Sequence, residues 1–393
     1  MADKPRIALC LEYPLALRGG VSVLVESLIE GLASQYDFLL VSPDSSTELA
    51  QSSVSTLIQG HLRWDPANPT PRRSHQLALE IRDAGASMAH FHLGGNFGWG
   101  NRFRNHSPMT HLAKMGVPVC SSVHLVVNVL DGYCGPQKPF WFKLAMLPLA
   151  WLGKMQTLRH LRAEIAVSRH DLQKLQRWYW PQSGKFRQIY HSRLRAASRP
   201  EPANKREQAV LNVGHVASRK GQGILAAAFA RVASKFPDWK LWLVGDIVEE
   251  SEGNKIREIA RSHGLEDRVL LIGPRNDAYD WMSRCGVYVQ PSLAEALGLA
   301  LQEAMFRGCP AIGTRAGGIP ELIDHEATGL LVDAGNEMQL AAALETLMAD
   351  HALRDKYGRA APASILRKGM TFEKMLEQHA ELYRAILGDT KAD

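Results

Sequence analysis

Residues 286–323 constrain the fold of this chain more than any other stretch. The run 286–290 is short and mostly apolar, which is typical of a buried strand, and residues 299–307 favour a helix after a loop of small residues. A strand that enters a helix through such a loop leaves backbone N–H groups unpaired at the helix N-terminus. Those groups attract anions, so the stretch predicts a phosphate-binding loop at the end of a strand.

Two carboxylates lie on either side of the predicted helix start. Glu295 is in the loop, Glu303 is on the helix, and Gly298 lies between them. Eight residues at the helical rise separate the two carboxylates by about 12 Å along the axis. They are therefore too far apart to share a proton, but they suit two different hydroxyl groups of one extended ligand. The alternative is a surface helix that carries ordinary solvated carboxylates.

Strand-like and helical segments alternate through the whole chain, which predicts mostly parallel sheets covered by helices on both faces. The predicted strands are residues 6–11, 38–42, 88–93, 117–125, 163–168, 209–213, 240–245, 269–273, 286–290, 310–314 and 329–332. A chain of 393 residues is too long for one core of ordinary size. We predict an N-terminal domain at 1–198, a proline-rich and charged linker at 199–208, a C-terminal domain at 209–370, and a last helix in 371–393.

Composition excludes several other classes of protein. The chain is 46% hydrophobic and 22% charged, which is ordinary for a globular protein. Its five cysteines are scattered without metal-binding spacing and suit a reducing cytoplasm. The N-terminus is too charged for a signal peptide, and the longest apolar segment, 140–153, is interrupted by Lys143 and Pro148. We therefore expect a cytoplasmic protein that is soluble or peripheral at the inner face of the membrane.

Positive charge is concentrated in residues 138–199. Thirteen Lys or Arg residues stand there against two acids, a net charge of +11 in a chain whose total is +6. Aromatic residues are interleaved with these cations, which suits an anionic membrane surface or an anionic acceptor. The alternative places the aromatics in the core and the cations in water. No nucleic-acid motif accompanies the charge, so nucleic acid is not an expected partner.

A second glycine-rich loop follows the first strand of the C-terminal domain. It contains the adjacent cations Arg219 and Lys220 between Gly214 and Gly221. Such a cationic pair beside a helix N-terminus can hold a diphosphate, although a basic turn can also be plain solvated surface. The loop has neither the Walker lysine pattern nor a G-x-G-x-x-G fingerprint, which disfavours kinases, ATPases and dehydrogenases.

Taken together, the motifs resemble those of the family 4 retaining glycosyltransferases, which have the GT-B fold. The residues that carry the resemblance are Gly19-Gly20, His124, Lys220-Gly221, Gly245-Asp246, Pro291-Ser292, Glu295, Gly298, Glu303-Ala304, Gly308, Pro310, Gly317-Gly318 and Pro320-Glu321. The resemblance runs from the first strand to the last helix. It implies two Rossmann-like domains that face each other across a cleft, with the C-terminal helix returning to the N-terminal domain.

The resemblance also implies roles for the site residues of the C-terminal domain. Glu295 would hold hydroxyl groups of the donor sugar, and Glu303 would hold the ribose. Lys220 would bind the diphosphate, with backbone amides near Leu297, Gly298 and Leu299 completing the cradle. The family commonly has an aromatic residue where Leu297 stands here.

Three further positions are implied to take part. The loop of Gly19 and Gly20 would approach the donor closely, which the absence of a side chain permits. His124 would lie near the reacting sugar, and as a catalytic residue it would act with Lys220 and Glu295. A second diphosphate cation, usually an arginine, is replaced by His215, so Arg219 is the candidate substitute.

The predicted activity is transfer of a sugar from a nucleotide-diphosphate sugar to a hydroxyl of a glycan or lipid-linked acceptor. The chain has no Asp-x-Asp motif, so we expect no metal and no other cofactor. The resemblance implies front-face attack with retention. Two alternatives remain: a sugar-nucleotide 2-epimerase of the same fold, and a relative that binds the donor without catalysis. The nucleotide, the sugar and the acceptor are not determined by the sequence.

Overall fold

The chain forms two compact units in the computed structural model. The structure describes residues 4–15, 19–65, 70–100, 102–103, 106–126, 129–135, 137–198 and 206–389. Unit 1 comprises Met1–Arg193 together with Phe372–Asp393, and unit 2 comprises Leu194–Thr371. The predicted linker at 199–208 lies largely outside the described residues, and its last two residues belong to the first strand of unit 2.

Unit 1 contains a parallel sheet with the strand order β3-β2-β1-β4-β5-β6-β7. Its strands are β1 (Arg6–Leu11), β2 (Asp37–Ser42), β3 (Ile58–Arg63), β4 (Met88–Leu93), β5 (Val119–Val123), β6 (Ala163–Ala166) and β7 (Phe186–Gln188). The five strands predicted from apolar runs are all present. The strands β3 and β7 were not predicted because they form the two edges of the sheet, where partial exposure admits polar residues.

Helices cover this sheet on both faces. They are α1 (Gly20–Leu32), α2 (Ser46–Ala50), α3 (Pro71–Asp83), α4 (Pro108–Lys114), α5 (Val129–Cys134), α6 (Phe140–His160), α7 (Arg169–Trp178) and the C-terminal α15 (Phe372–Asp389). The last helix packs against α1 and places Phe372, Met375 and Tyr383 in the core beside β1 and β2. The apolar segment at 140–153 is the first part of α6. No described helix is both long enough and apolar enough to cross a bilayer.

A buried ion pair joins α6 to the sheet of unit 1. The ammonium of Lys154 lies 2.6 Å from Glu164 Oε2, and both side chains are fully buried. The same carboxylate oxygen accepts a hydrogen bond from the Ser121 hydroxyl, and Lys154 also donates to the backbone carbonyl of Asn96. Burial of two charges requires such mutual pairing, so this contact fixes the position of α6 on the sheet.

Unit 2 repeats the arrangement with the strand order β10-β9-β8-β11-β12-β13. Its strands are β8 (Glu207–Val213), β9 (Lys240–Val244), β10 (Val269–Gly273), β11 (Cys285–Gln290), β12 (Ala311–Thr314) and β13 (Gly329–Val332). Its helices are α8 (Gln222–Val232), α9 (Glu250–Ser262), α10 (Ala278–Arg284), α11 (Leu299–Phe306), α12 (Ile319–Leu322), α13 (Glu337–Ala349) and α14 (His351–Arg367). All strand pairs are parallel.

The strand order determines where ligands bind in sheets of this kind. In both units the first strand lies between the second and the fourth, so the connections leave it in opposite directions. A crevice forms at this switch point, outside the carboxyl ends of the strands. The relevant loops therefore follow β1 and β4 in unit 1, and β8 and β11 in unit 2.

Candidate functional site

The loops after β8 and β11 are joined to each other in unit 2. The backbone N–H of Leu293 donates to the carbonyl of Arg219 at 2.9 Å, and the Arg219 guanidinium donates to the carbonyl of Ala294 at 2.8 Å. Gly221 has a φ of +74°, and a Cβ there would collide with the carbonyl oxygen of Pro291. Glycine at this position therefore allows the basic loop to lie directly against the loop of Glu295.

This contact brings two predicted site residues together. The ammonium of Lys220 donates to Glu295 Oε2 at 2.6 Å, and only 20% and 11% of the two side chains are exposed. The same carboxylate oxygen accepts from the Ser292 hydroxyl at 3.2 Å and from the Gln290 amide at 3.4 Å. The carboxylate thus has several donors and is held in one orientation at the end of β11.

The charges around Glu295 keep it ionised. Burial alone would raise the pKa of its carboxyl, but the charge and hydrogen bond of Lys220, the charge of Arg219 and the hydroxyl of Ser292 outweigh it. The pKa of Glu295 consequently lies below its ordinary value, because each of these groups stabilises the carboxylate form. The site therefore presents a carboxylate paired with the ammonium of Lys220.

A third loop, after β12, supports the backbone of Glu295. The N–H of Gly318 donates to the carbonyls of Glu295 and Ala296 at 3.3 and 3.1 Å. Gly317 has a φ of +55°, and a Cβ on it would collide with the carbonyl oxygen of Glu295. The absence of a side chain at Gly317 is thus a steric requirement for the observed path of the loop.

The helix α11 begins where the predicted phosphate cradle lies. Leu299 is its first residue and Gly298 precedes it in the left-handed region, at φ +98°. The first N–H groups of a helix have no acceptor within the helix, so they and the backbone near Leu297 can donate to an anion. One helical turn further on, Glu303 accepts a hydrogen bond from the Tyr279 hydroxyl at 2.9 Å.

A buried polar network under the two loops was not predicted from the sequence. Gln222 donates to the side chain of Asn212 at 3.2 Å and to the carbonyl of His215 at 2.9 Å. Asn212 in turn donates to the carbonyl of Val289 at 2.8 Å. These contacts tie β8, α8 and β11 together below the Lys220 loop. The signal that could have indicated them is a pair of amides within otherwise apolar segments.

His124 lies in unit 1, directly after β5, among other histidines. Its Nε2 is 3.1 Å from His92 Nδ1, and its ring lies 5.1 Å from that of His191. The pKa of His124 is lowered to about 3, mainly by burial and secondly by the charge of the neighbouring His379. The imidazole is therefore neutral, and it can donate from one ring nitrogen and accept at the other.

The cluster extends from His124 into the core of unit 1. His90 contacts the Tyr383 hydroxyl at 2.6 Å and the Ser122 hydroxyl at 2.8 Å, and its ring lies 4.2 Å from that of His92. Burial first, and the neighbouring imidazoles second, keep the pKa values of His90, His92 and His191 well below their ordinary range. We call these five residues the histidine cluster: His90, His92, His124, His191 and His379.

Glu12, which the sequence analysis did not single out, lies at the switch point of unit 1. It follows β1 and accepts a hydrogen bond from the backbone N–H of Trp99 at 2.5 Å. Burial raises the pKa of Glu12 to about 7, against the lowering effect of the N–H groups of Trp99 and Gly94. Glu12 therefore anchors the glycine-rich loop after β4. A lone carboxylate directly after the first strand was the available signal.

The remaining predicted residues have simpler surroundings. Gly19 precedes α1 and Gly20 is its first residue, and the Gly19 carbonyl accepts from the N–H of Val23 at 3.1 Å. The side chain of His215 is exposed. Within the part of the chain that the structure describes, no three His, Cys, Asp or Glu residues are placed to hold a metal ion.

Comparison with known proteins gives matches along most of the chain. The family described as "Glycosyltransferase Family 4" matches residues 18–192, and the one described as "Glycosyl transferases group 1" matches residues 195–364. The "N-acetyl-alpha-D-glucosaminyl L-malate synthase" of Bacillus anthracis is 32% identical over 185 residues, 47% of each chain. The "Lipopolysaccharide core biosynthesis glycosyltransferase LpsD" of Rhizobium meliloti is 32% identical over 174 residues, 44% of this chain and 48% of that protein. The chain spans about half the length of these curated relatives.

A solved structure resembles the whole chain. HepE of Anabaena, determined in complex with UDP, has a TM-score of 0.73 at 18% identity, and the match covers 97% of this chain and 100% of that one. A likeness at this identity shows the fold. The predicted fold class is thereby confirmed: both units are Rossmann-like α/β structures of the GT-B type, and the C-terminal helix belongs to unit 1.

Proposed function

Because this chain belongs to the family 4, or group 1, glycosyltransferases, we propose that it transfers a sugar from a nucleotide-diphosphate sugar to an acceptor hydroxyl. The observation that carries the proposal is the ion pair of Lys220 and Glu295 beside the N-terminus of α11. One partner is suited to phosphate oxygens and the other to sugar hydroxyls, and both stand at the switch point of unit 2. UDP bound to the similar HepE supports a nucleoside diphosphate as the leaving group.

Donor binding would exchange the partners of this ion pair. The Lys220 ammonium turns from the carboxylate to the diphosphate, and the released Glu295 oxygen accepts from sugar hydroxyls. The N–H groups at the start of α11 and the Arg219 guanidinium face the same anion. These charges act most strongly on the negative charge that grows as the bond from sugar to phosphate breaks, so they lower the barrier for its departure.

We propose retention of configuration without a metal. In this mechanism the acceptor oxygen bonds to the anomeric carbon on the face that the diphosphate leaves, and a departing phosphate oxygen takes the acceptor's proton. Lys220, Arg219 and the helix N-terminus supply the positive charge for which other enzymes use a divalent cation. The neutral His124 would contribute a hydrogen bond near the sugar, and Glu303 would bind the ribose.

Substitution of the ion pair tests the proposal. Lys220→Ala and Glu295→Ala should each abolish transfer, measured by release of nucleoside diphosphate and formation of glycoside over a panel of donors. The matched controls are Lys235→Ala and Glu345→Ala, which remove an exposed ion pair of similar length, 2.7 Å, elsewhere in unit 2. Turnover near the wild-type rate in either site variant would contradict the proposed roles.

The same assay separates the two alternatives. A 2-epimerase would convert the sugar of the donor without an acceptor, so donor alone would yield the epimer. A relative that only binds would show a donor-dependent rise in melting temperature, by mass action, without turnover of any donor. The contacts of Lys220 and Glu295 described above fit a glycosyltransferase as well as they fit either alternative.

We also propose that the protein works at the inner face of a membrane, on a glycan or lipid-linked acceptor of a cell-surface polysaccharide. The relative LpsD is named as a glycosyltransferase of lipopolysaccharide core biosynthesis, which supports this choice of acceptor. Phe140, Trp141 and Trp180 are each more than 70% exposed within the basic stretch 138–199. Flotation with anionic liposomes tests the membrane contact: binding at low salt should be lost in the variant Trp141→Glu, and no binding by the wild-type protein would exclude it.

A further inference from the structure

A groove in unit 1 lies within the basic stretch 138–199, apart from the residues assigned to the donor site. It runs between the middle of α6 and the end of α7 and has a volume of about 840 Å³, within the range of about 300–1,000 Å³ that holds small ligands. Its lining residues are Leu147, Pro148, Trp151, Leu152, Arg177 and Trp178. Five of these six side chains are apolar or aromatic, so the groove is suited to hydrocarbon.

The walls of the groove are fixed by contacts within unit 1. The indole N–H of Trp151 donates to the carbonyl of Trp178 at 2.9 Å, which ties α6 to the end of α7. Beneath them, the buried pair of Lys154 and Glu164 holds α6 on the sheet. Because the indole N–H is already used, Trp151 presents its apolar face and edge to the groove.

One cation stands at the edge of the groove without a partner. Arg177 is exposed, and no ion pair or hydrogen bond of its guanidinium occurs among the residues that the structure describes. The acids of the basic stretch do not offset it at the surface. Glu164 is fully buried against Lys154, and Asp171 is 1% exposed. The exposed charge that this stretch contributes at the groove is therefore positive, and it complements an anionic group.

Further apolar side chains are exposed close to the lining residues along the chain. Phe140, Trp141, Leu144 and Trp180 are exposed beside its lining residues along the chain, and Leu152 and Trp178 are themselves 43% and 40% exposed. Contiguous exposed apolar side chains mark binding surfaces more often than isolated ones do. Among the six lining residues a carbohydrate would find one charged side chain, that of Arg177, so most of its hydroxyl groups would be left without side-chain partners.

We propose that this groove binds one hydrocarbon chain of a phosphate-bearing lipid, with the chain between α6 and α7 and the phosphate on Arg177. The guanidinium offers two parallel N–H donors to phosphate oxygens. The inference goes beyond the proposed transfer activity, since binding at this groove requires neither donor nor turnover. It would give the protein a site for an individual lipid in addition to attraction to a charged surface.

Binding of monomeric alkyl phosphates to the full chain tests this proposal. Octyl, decyl and dodecyl phosphate are titrated by calorimetry below their critical micelle concentrations. One molecule should bind per chain, and affinity should rise by about fourfold for each added methylene until the groove is filled. Inorganic phosphate should show no measurable binding, and the matching alkanols should bind more weakly than the phosphates.

Variants locate the binding in the groove. Leu152→Glu places a charge on an exposed wall position and should weaken dodecyl phosphate binding by at least about tenfold. Arg177→Gln should weaken the binding of dodecyl phosphate and leave the binding of dodecanol unchanged. The control is Met338→Glu in unit 2, at a side chain that is 62% exposed, and it should bind as the wild type does.

Several results would overturn the proposal. Affinity that does not depend on the length of the alkyl chain would show that the alkyl chain is not in the groove. Binding that Leu152→Glu leaves intact would show the same. Binding to anionic vesicles without binding to monomeric alkyl phosphates would show surface adsorption only. None of these measurements uses glycosyl transfer, so failure of the proposed activity would not be mistaken for failure of this site.

Discussion

Mild acid is expected to destabilise unit 1 because of its histidine cluster. The free imidazole has a pKa of about 6.5 in the unfolded chain. The folded value is about 3 for His124 and about 4 for His379, with burial as the first cause in both, and it is well below 6.5 for the other three members. Below pH 6.5 the unfolded chain therefore binds more protons than the folded chain, and stability falls as pH falls.

The magnitude follows from the same linkage. When the pH falls from about 7 to about 5.5, each histidine that stays neutral in the folded state lowers the free energy of unfolding by slightly more than about 1 kcal/mol, so five lower it by about 6 kcal/mol. Glu12 acts in the opposite direction, because its raised folded pKa, about 7, gives the folded state the extra proton in this range. Glu12 offsets about 1 to 2 kcal/mol of this loss, so the net loss in the free energy of unfolding is about 4 to 5 kcal/mol.

Hydrogen exchange of the β1 and β4 amides measures this loss within unit 1. Corrected for the intrinsic effect of pH, the opening free energy should fall with a slope equivalent to about four protons near pH 5.5. His379→Gln should reduce the slope by about one proton. The control His351→Gln, at a ring that is 77% exposed, should leave it unchanged. A wild-type slope below about one proton would refute the reasoning, as would an unaltered slope in His379→Gln.

Three other substitutions have defined outcomes. Gly317→Ala should abolish stabilisation by nucleoside diphosphates in a thermal-shift assay, because its Cβ displaces the backbone of Glu295; a wild-type shift would contradict this. Lys154→Met leaves the Glu164 carboxyl without its ammonium partner in the core and should cost about 3–5 kcal/mol in urea denaturation, a loss that the double variant with Glu164→Leu should largely recover. Glu12→Gln should steepen the acid dependence by about one proton near pH 5.5, since the amide cannot take up the proton that Glu12 binds in the folded state.

The sequence by itself determined the parts of the fold that depend on local patterns. Apolar runs identified the five inner strands of unit 1 and all six strands of unit 2, since a strand buried on both faces must be apolar along its length. The edge strands β3 and β7 of unit 1 were not predicted, because their partial exposure admits polar residues. Helices α13 and α14 were not predicted either, although α13 has an Asn336 cap that could have indicated its start.

Only the tertiary structure decided which side chains meet. Lys220 and Glu295 are 75 residues apart, and they form an ion pair because β8 lies beside β11. The motif predicted a role for each residue in donor binding, but not their contact in the absence of donor. The histidine cluster is assembled in the same way from β4, the ends of β5 and β7, and α15. Strand order determines such contacts, and the local pattern of apolar and polar residues does not encode strand order.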